Sequence, residues 1–214
     1  MKVLLFGATG YAGSHIVNEL EMRGHSVVAV SRGGGSPASA HVRPLAGSID
    51  DRDLVARAAA GCDAIVVALP FFRARNGEPL GDAFQYALGA ALDNGARLGV
   101  VGGAGSLFET EQGPRHADGP NYPAFLQPVY AAHLDIRRQL AGSDTAIDWF
   151  YFSPAANFGS KRPGERTGRY RLGGMVMVRD ADGVSYLSGA DYGIAFVDEL
   201  ERPKHHRQQF TAGY

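Results

Sequence analysis

The stretch that decides the fold is the opening one, Lys2-Val3-Leu4-Leu5-Phe6-Gly7-Ala8-Thr9-Gly10-Tyr11-Ala12-Gly13, with its continuation to Arg32. Lys2 to Phe6 is a short apolar run of strand-forming residues. After the glycine-punctuated turn, Ile16, Val17 and Leu20 fall on one face of a helical pattern from His15 to Arg23. Gly24 closes that helix, and Ser26 to Val30 is a second apolar run. Strand, glycine turn, helix and strand make a βαβ unit. The glycines have mechanical roles there. Gly7 lets the chain turn sharply out of the strand, Gly10 lets the backbone lie against a pyrophosphate, and Gly13 lets the helix pack close to the sheet. The helix N-terminus adds unpaired N–H groups and a partial positive charge. The spacing is G-x-x-G-x-x-G, and its place between a strand and a helix is what makes it informative. It assigns Gly7, Thr9, Gly10, Tyr11, Ala12 and Gly13 to dinucleotide binding.

The end of the second strand bears on which dinucleotide. An NAD-binding unit usually carries Asp or Glu there, accepting from the ribose 2′-OH. Here the chain reads Val30-Ser31-Arg32-Gly33-Gly34-Gly35, and no carboxylate occurs between Glu21 and Asp50. An arginine beside a small hydroxyl in an open glycine loop suits a 2′-phosphate, so Ser31 and Arg32 predict NADP(H) in preference to NAD(H). The competing reading leaves Arg32 solvated, or stacked on adenine and indifferent to the phosphate.

At 214 residues the chain is long enough for one domain, 1–214, with a sizeable core. A net charge of −1 gives no surface for nucleic acid. A single cysteine, Cys62, excludes an internal disulfide and fits a reducing cytoplasm. No C-x-x-C or His/Cys cluster calls for a metal, and no membrane span or signal peptide is visible. The partner implied is a small-molecule substrate, and nothing in the sequence sets an oligomeric state.

The rest of the chain alternates in the same way. Val42 to Ala46 is a third strand, and Ser48-Ile49-Asp50-Asp51 precedes a helix from about Arg52 to Ala60. Ile49 and Asp50 are placed beside the adenine, although Asp50 could equally serve only as the helix cap. Asp63 to Leu69 is nearly all apolar, as a central parallel strand covered on both faces should be. Pro70 ends it, and a loop from Phe71 to Pro79 leads to a helix over Leu80 to Asn94. Leu98 to Val101 runs into Gly102-Gly103-Ala104-Gly105-Ser106, a second glycine stretch. Ligands of doubly wound sheets bind beyond the carboxyl ends of the strands. That rule brings Ala68, Leu69, Pro70, Gly102, Gly103 and Ala104 to the cofactor, with residues 70–76 and 102–110 bordering the site. Glu109 to Gln127 is long and irregular and is expected to lie over the substrate. Pro128 suits the first turn of a helix ending near Leu140, and Ala146 to Phe152 is a sixth strand followed by Ser153-Pro154-Ala155. Residues 157–183 read as an excursion with short β-like pieces at Arg169–Leu172 and Met175–Val178, contributing to a substrate pocket. Ser188-Gly189-Ala190-Asp191 has capping-box spacing ahead of a helix from Tyr192 to Glu201, and Gln208 to Ala212 is a last strand.

The turn Gly7–Gly13, the segment Val100-Val101-Gly102-Gly103-Ala104-Gly105-Ser106-Leu107, and the closing Asp191-Tyr192, Asp198 to Pro203 and Phe210-Thr211 together resemble the atypical short-chain dehydrogenase/reductases. Within them the chain is similar to the NAD(P)H-binding branch of flavin reductase (biliverdin reductase B) and bacterial NADH-flavin reductase-like proteins. The resemblance covers essentially the whole chain. It implies an α/β Rossmann fold with a doubly wound parallel sheet, and a nicotinamide cofactor. One departure is plain. The wider superfamily uses a Tyr-x-x-x-Lys pair, yet none of Lys2, Lys161 and Lys204 has a tyrosine four residues earlier, and Tyr130 is followed at that distance by Leu134.

By resemblance, Ser106 stands where relatives carry a serine near the nicotinamide, His133 where they carry a histidine, and Ser153-Pro154-Ala155 where they line the nicotinamide with backbone. Tyr130, His133 and Arg137 recur at i, i+3 and i+7, on one helix face. Ser106, Tyr130 and His133 are thus the catalytic candidates, each with a plainer reading as packing or a local hydrogen bond. The expected activity is reduction of a small planar acceptor, a flavin or quinone, by NADPH. The aromatic stretches Phe71-Phe72 and Tyr122 to Phe125 are available to stack on it. Two further readings stand beside this one: a non-catalytic NADP(H) sensor of the NmrA type, and an epimerase using Tyr130 with His133.

Overall fold

The computed structural model describes residues 1–35, 38–70 and 80–214. The expected loop Phe71–Pro79, with the Phe71-Phe72 pair and residues 71–76 of the predicted site border, lies outside the described residues. Eight strands form one sheet: β1 (Lys2–Phe6), β2 (Ser26–Ser31), β3 (Val42–Ala46), β4 (Ala64–Val67), β5 (Arg97–Val101), β6 (Trp149–Ser153), β7 (Arg171–Gly173) and β8 (Gln208–Gly213). Their order is β3-β2-β1-β4-β5-β6-β8-β7. The pairs from β3 through β8 are parallel, and only the edge strand β7 is antiparallel. This is the doubly wound α/β Rossmann fold expected from the sequence.

The helices α1 (Tyr11–Met22) and α5 (Gly189–Glu201) cover one face; α2 (Arg52–Ala59), α3 (Leu80–Asn94) and α4 (Gln127–Ala141) cover the other. Alternation along each strand sorts the core between the two layers. Leu4 and Phe6 face α2 and α3, while Val3 and Leu5 face α1 and α5. Such two-sided burial is why these strands read as continuous apolar runs.

Several boundaries move for identifiable reasons. α1 begins at Tyr11, well before the apolar periodicity at Ile16, because Gly10 in extended conformation is its N-cap. α5 begins at Gly189, with Ser188 Oγ accepting from Asp191 N–H, which is half of the expected capping box. The other half is absent: the Asp191 carboxylate accepts from Thr167 and Gly168 N–H and from the Tyr214 hydroxyl, pinning the excursion to the body of the fold. β6 starts at Trp149 because Arg207 Nη1 holds the carbonyls of Asp144 and Ile147 in the preceding turn. Met175–Val178 is not a strand. It is stitched to Phe108 through Phe108 N–H to Met175 O and Met177 N–H to Phe108 O.

Candidate functional site

The strand order reverses between β1 and β4, and ligands of such sheets bind in the crevice at that point. Here the crevice is a cleft at the carboxyl ends of the strands. Gly7, Thr9 and Gly10 line it on one side, Ser31 and Arg32 on the second, and Ile49, Asp50, Ala68, Leu69 and Pro70 on the third. The turn between β1 and α1 is built for close approach. Gly7 has φ of 86°, and a Cβ there would lie 2.1 Å from Ala68 O; a Cβ on Gly13 would lie 2.1 Å from Gly7 O. No side chain caps α1, so its first N–H groups have no side-chain acceptor. That is the arrangement an anionic pyrophosphate requires.

The adenosine end is defined by Ser31, Arg32 and Asp50. Ser31 is buried and shapes the glycine loop: its Oγ accepts from Gly35 N–H at 3.2 Å, and its carbonyl accepts from Gly34 and Gly47 N–H. Arg32 is exposed and, among the described residues, has no carboxylate partner. Asp51, rather than Asp50, caps α2 by accepting from Leu54 N–H, which leaves Asp50 on the cleft wall with Oδ2 accepting from Ser48 Oγ.

Within the Gly7–Gly13 turn, three residues assigned to the cofactor from the sequence do not line this cleft. Gly13 is packed on the Gly7 backbone, and Ala12 packs with the α1/α5 core. Tyr11 turns aside: its hydroxyl donates to Pro163 O and accepts from Gly189 N–H, and its ring meets Phe158 edge-on.

A second cleft continues along the same edge of the sheet. Gly102, Gly103 and Ala104 form its floor, with Pro154 and Ala155 beside them; Tyr130 and His133 of α4 stand over it. His116, Tyr122 and Phe158 complete the wall. The second glycine stretch has a steric cause. A Cβ on Gly102 would lie 2.2 Å from the Tyr151 ring, and one on Gly103 2.9 Å from His133. Side chains from α4 and β6 thus rest directly on this backbone. The irregular segment after β5 does reach the cleft, through His116 and Tyr122, whose rings meet edge-on at 5.4 Å. Glu109 holds His116 in place at 2.7 Å and also pairs with Arg179. Of the 157–183 excursion, Phe158 is the side chain that lines the cleft.

Ser106 is drawn away from both clefts. The 3-10 turn Ala104–Ser106 rotates it inward to 2% exposure, where its Oγ accepts from Gln209 Nε2 at 2.8 Å. Ser153 is equally buried and donates to Gly103 O. Neither hydroxyl lines either cleft; that of Ser153 fixes the Gly103 backbone, and that of Ser106 anchors the Gln209 side chain. Arg137 shares the helix but faces a different hollow from Tyr130 and His133.

His133 gains its character from Tyr151, a residue that sequence reasoning passed over. The Tyr151 hydroxyl accepts from Gly103 N–H at 3.1 Å and lies 2.8 Å from His133 Nδ1. The Tyr151 hydroxyl gives its proton to His133 Nδ1 in one imidazole tautomer and accepts from Nδ1–H in the other. Burial pushes the His133 pKa down to about 4 and raises that of Tyr151. At neutral pH both are uncharged: His133 offers an N–H, not an acidic imidazolium. The one signal for Tyr151 was a hydroxyl within the buried run Trp149-Phe150-Tyr151-Phe152, on the strand face turned to α4.

A doubly wound sheet with a phosphate-accepting turn at its switch point and a second, ring-lined cleft beyond it defines a nicotinamide-dinucleotide-binding protein. The chain belongs to the NAD(P)H-binding family, which its residues 7–182 match. An uncharacterised Bacillus subtilis (strain 168) protein, YwnB, is 38% identical over 214 residues, covering 99% of this chain and 97% of that one. A Bacteroides thetaiotaomicron structure provisionally named an epimerase is 36% identical, with TM-score 0.86 and coverage of 100% and 96%. A Streptococcus pneumoniae TIGR4 structure provisionally named an NADH-flavin reductase is 30% identical, with TM-score 0.84 and coverage of 100% and 99%. Among the described residues no helix is long and apolar enough to cross a membrane.

Proposed function

We propose that the protein is a reductase that uses NADPH to reduce a small planar acceptor, a flavin or a quinone, with no nucleic acid or membrane as partner. The observation that carries this reading is the second cleft: the rings of Tyr122, Tyr130 and Phe158 beside an uncharged His133. Aromatic walls suit a flat ring system. The bound cofactor would supply the hydride. The protein would hold the cofactor on Gly7, Gly10 and the α1 N-terminus and set the acceptor against it. Such positioning can contribute about 7–11 kcal/mol of barrier reduction. A reduced flavin or quinone takes its proton from solvent, so a site without Tyr-x-x-x-Lys is sufficient. Epimerisation would need an acid–base pair, and a histidine that loses its proton near pH 4 is a poor acid at pH 7. A cytoplasmic setting belongs to the same proposal, since the buried thiol Cys62 and NADPH both suit a reducing compartment.

The preference for NADPH rests on exposed Arg32, free of a carboxylate partner among the described residues, beside the loop that Ser31 holds. Charge-assisted hydrogen bonds contribute about 1.5–3 kcal/mol each. Arg32→Ala should weaken NADPH roughly 10–100-fold and leave NADH nearly unchanged in calorimetry; equal losses would remove Arg32 from the assignment. Turnover is tested by following NADPH absorbance with FMN, menadione and cyclohexanone. Oxidation with FMN or menadione but not the ketone is expected. Tight NADPH binding with no oxidation by any acceptor would favour the sensor reading.

A further inference from the structure

On the α4 side of the sheet, β6 and β8 are not covered out to the edge. A trench of about 460 Å³ opens there between the C-terminal half of α4 and the chain at Gly174-Met175. Tyr151 and Gln209 are register partners in parallel strands, so both project into the same face, and Trp149 lies two residues back on β6. Tyr151 separates this trench from the cofactor clefts: its hydroxyl serves Gly103 and His133, and its ring forms part of the trench wall.

The polar groups around the trench are mismatched. Among the described residues two guanidinium groups line it, Arg137 and Arg207, and no carboxylate does. Arg207 is engaged, donating to the carbonyls of Ser143, Asp144 and Ile147. Arg137 has no hydrogen bond or ion pair among the described residues, and burial lowers its pKa, helped by the charge of Arg115. Gln209 Nε2 donates to Ser106 Oγ and Ser153 Oγ, both at 2.8 Å. Ser153 gives its own proton to Gly103 O, so it can only accept from the amide, and this fixes which end of Gln209 is nitrogen. The Gln209 Oε1 that remains is buried without a donor, and the Trp149 indole N–H is buried without an acceptor. Of these groups Arg137 is the one available to the hollow, a cation without a partner among the described residues beside an aromatic wall, and an anionic ligand would complete it.

We propose that this trench is a second ligand site, distinct from the cofactor clefts, that takes a small aryl carboxylate. The carboxylate pairs with Arg137, and the ring lies among Trp149, Tyr151 and Met175. Space is adequate, since an apolar cavity of about 150 Å³ already holds a benzene ring.

Trp149 is the single tryptophan of the chain, so its emission reports occupancy directly. The full-length protein is titrated with 4-hydroxybenzoate and, in parallel, with the uncharged 4-hydroxybenzamide. A saturable change with the carboxylate is expected, and binding of the amide weaker by at least about tenfold. Arg137→Gln should produce the same loss for the carboxylate and leave NADPH affinity unchanged. Gly174→Leu tests the site without touching its charge: a Cβ at Gly174 meets nothing within 4 Å, so the side chain can fill the mouth without disturbing the fold. If Arg137→Gln does not fold, Gly174→Leu decides alone. The proposal is overturned by equal binding of acid and amide, by undiminished binding in the folded variants, by competition between 4-hydroxybenzoate and NADPH, or by no saturation up to about 10 mM. The readout involves no turnover, so it stands or falls independently of the reductase reading.

Discussion

The two clefts along the carboxyl edge of the sheet are built on different principles. The one at the switch point is made chiefly of backbone: a turn from which side chains are excluded, an uncapped helix end, and a glycine loop held by Ser31. The one beside it is made largely of side chains gathered from α4, the turn after β6, the segment after β5 and the 157–183 excursion. A backbone site depends on atoms that must be missing, and a missing Cβ is written locally in the sequence. A side-chain site depends on which distant residues the fold brings together, and that is written nowhere locally.

The difference predicts opposite sensitivities. In the first cleft the largest effect should come from adding atoms. Gly13→Val places a branched side chain where even a Cβ lies 2.1 Å from Gly7 O. Backbone cannot step aside as a flexible side chain can, so a loss of at least about 3 kcal/mol is expected, a large share of a typical 5–15 kcal/mol. Gly10→Ala is the control: its Cβ would sit 3.3 Å from the same oxygen, so the fold should lose no more than about 1 kcal/mol. Its NADPH affinity should still fall by about tenfold or more, since the methyl group occupies phosphate space. Urea midpoints and calorimetry measure both. A wild-type midpoint for Gly13→Val would end the claim that this cleft is set by backbone approach.

In the second cleft the damage should come from removing one atom. Tyr151→Phe strands the Gly103 N–H and His133 Nδ1 together, a change of about 1–3 kcal/mol. Stability should drop by that amount while NADPH affinity stays within about twofold, because the lost hydroxyl supports the acceptor side. An equal fall in cofactor affinity would mean that the two clefts are one coupled unit.

How far each region could be read from sequence follows the same division. The βαβ opening, the alternation of layers and nearly every strand were legible, because apolar periodicity and glycine punctuation are local. That Gly7, Gly10 and Arg32 would border one cleft was legible for the same reason. Ser106 was located, but its burial was not legible: the 3-10 turn that buries it has no signature in Gly103-Ala104-Gly105. Tyr151 and Gln209 were not legible at all, since each looks like one more strand residue until β6 and β8 pair them in register. His116 is held in the site by Glu109, Leu107 O and the Tyr122 ring, in a segment without periodicity.

The smallest expected effect concerns His133 and is the sharpest test of the contrast. Its pKa in the folded protein lies near 4, below the roughly 6.5 of an unperturbed histidine, and burial is the cause. The folded state therefore binds its proton less readily than the unfolded chain does. The stability linked to this group is fully present above about pH 6.5 and drains away as pH falls toward 4. Between about pH 6.5 and 8 the imidazole of the folded protein stays neutral, so it should add no limb to the pH profile of kcat. His133→Ala should raise KM for the acceptor and leave kcat within a few-fold, the pattern of a residue that shapes a pocket. His133→Gln, which can still offer an N–H, should recover part of the lost KM. Were His133 a general acid, kcat would instead fall by roughly 10²–10⁴ and the profile would lose a limb in that range. That result would show that the Tyr151 hydrogen bond and the surrounding burial do not keep the imidazole neutral, and that the second cleft carries chemistry as well as shape.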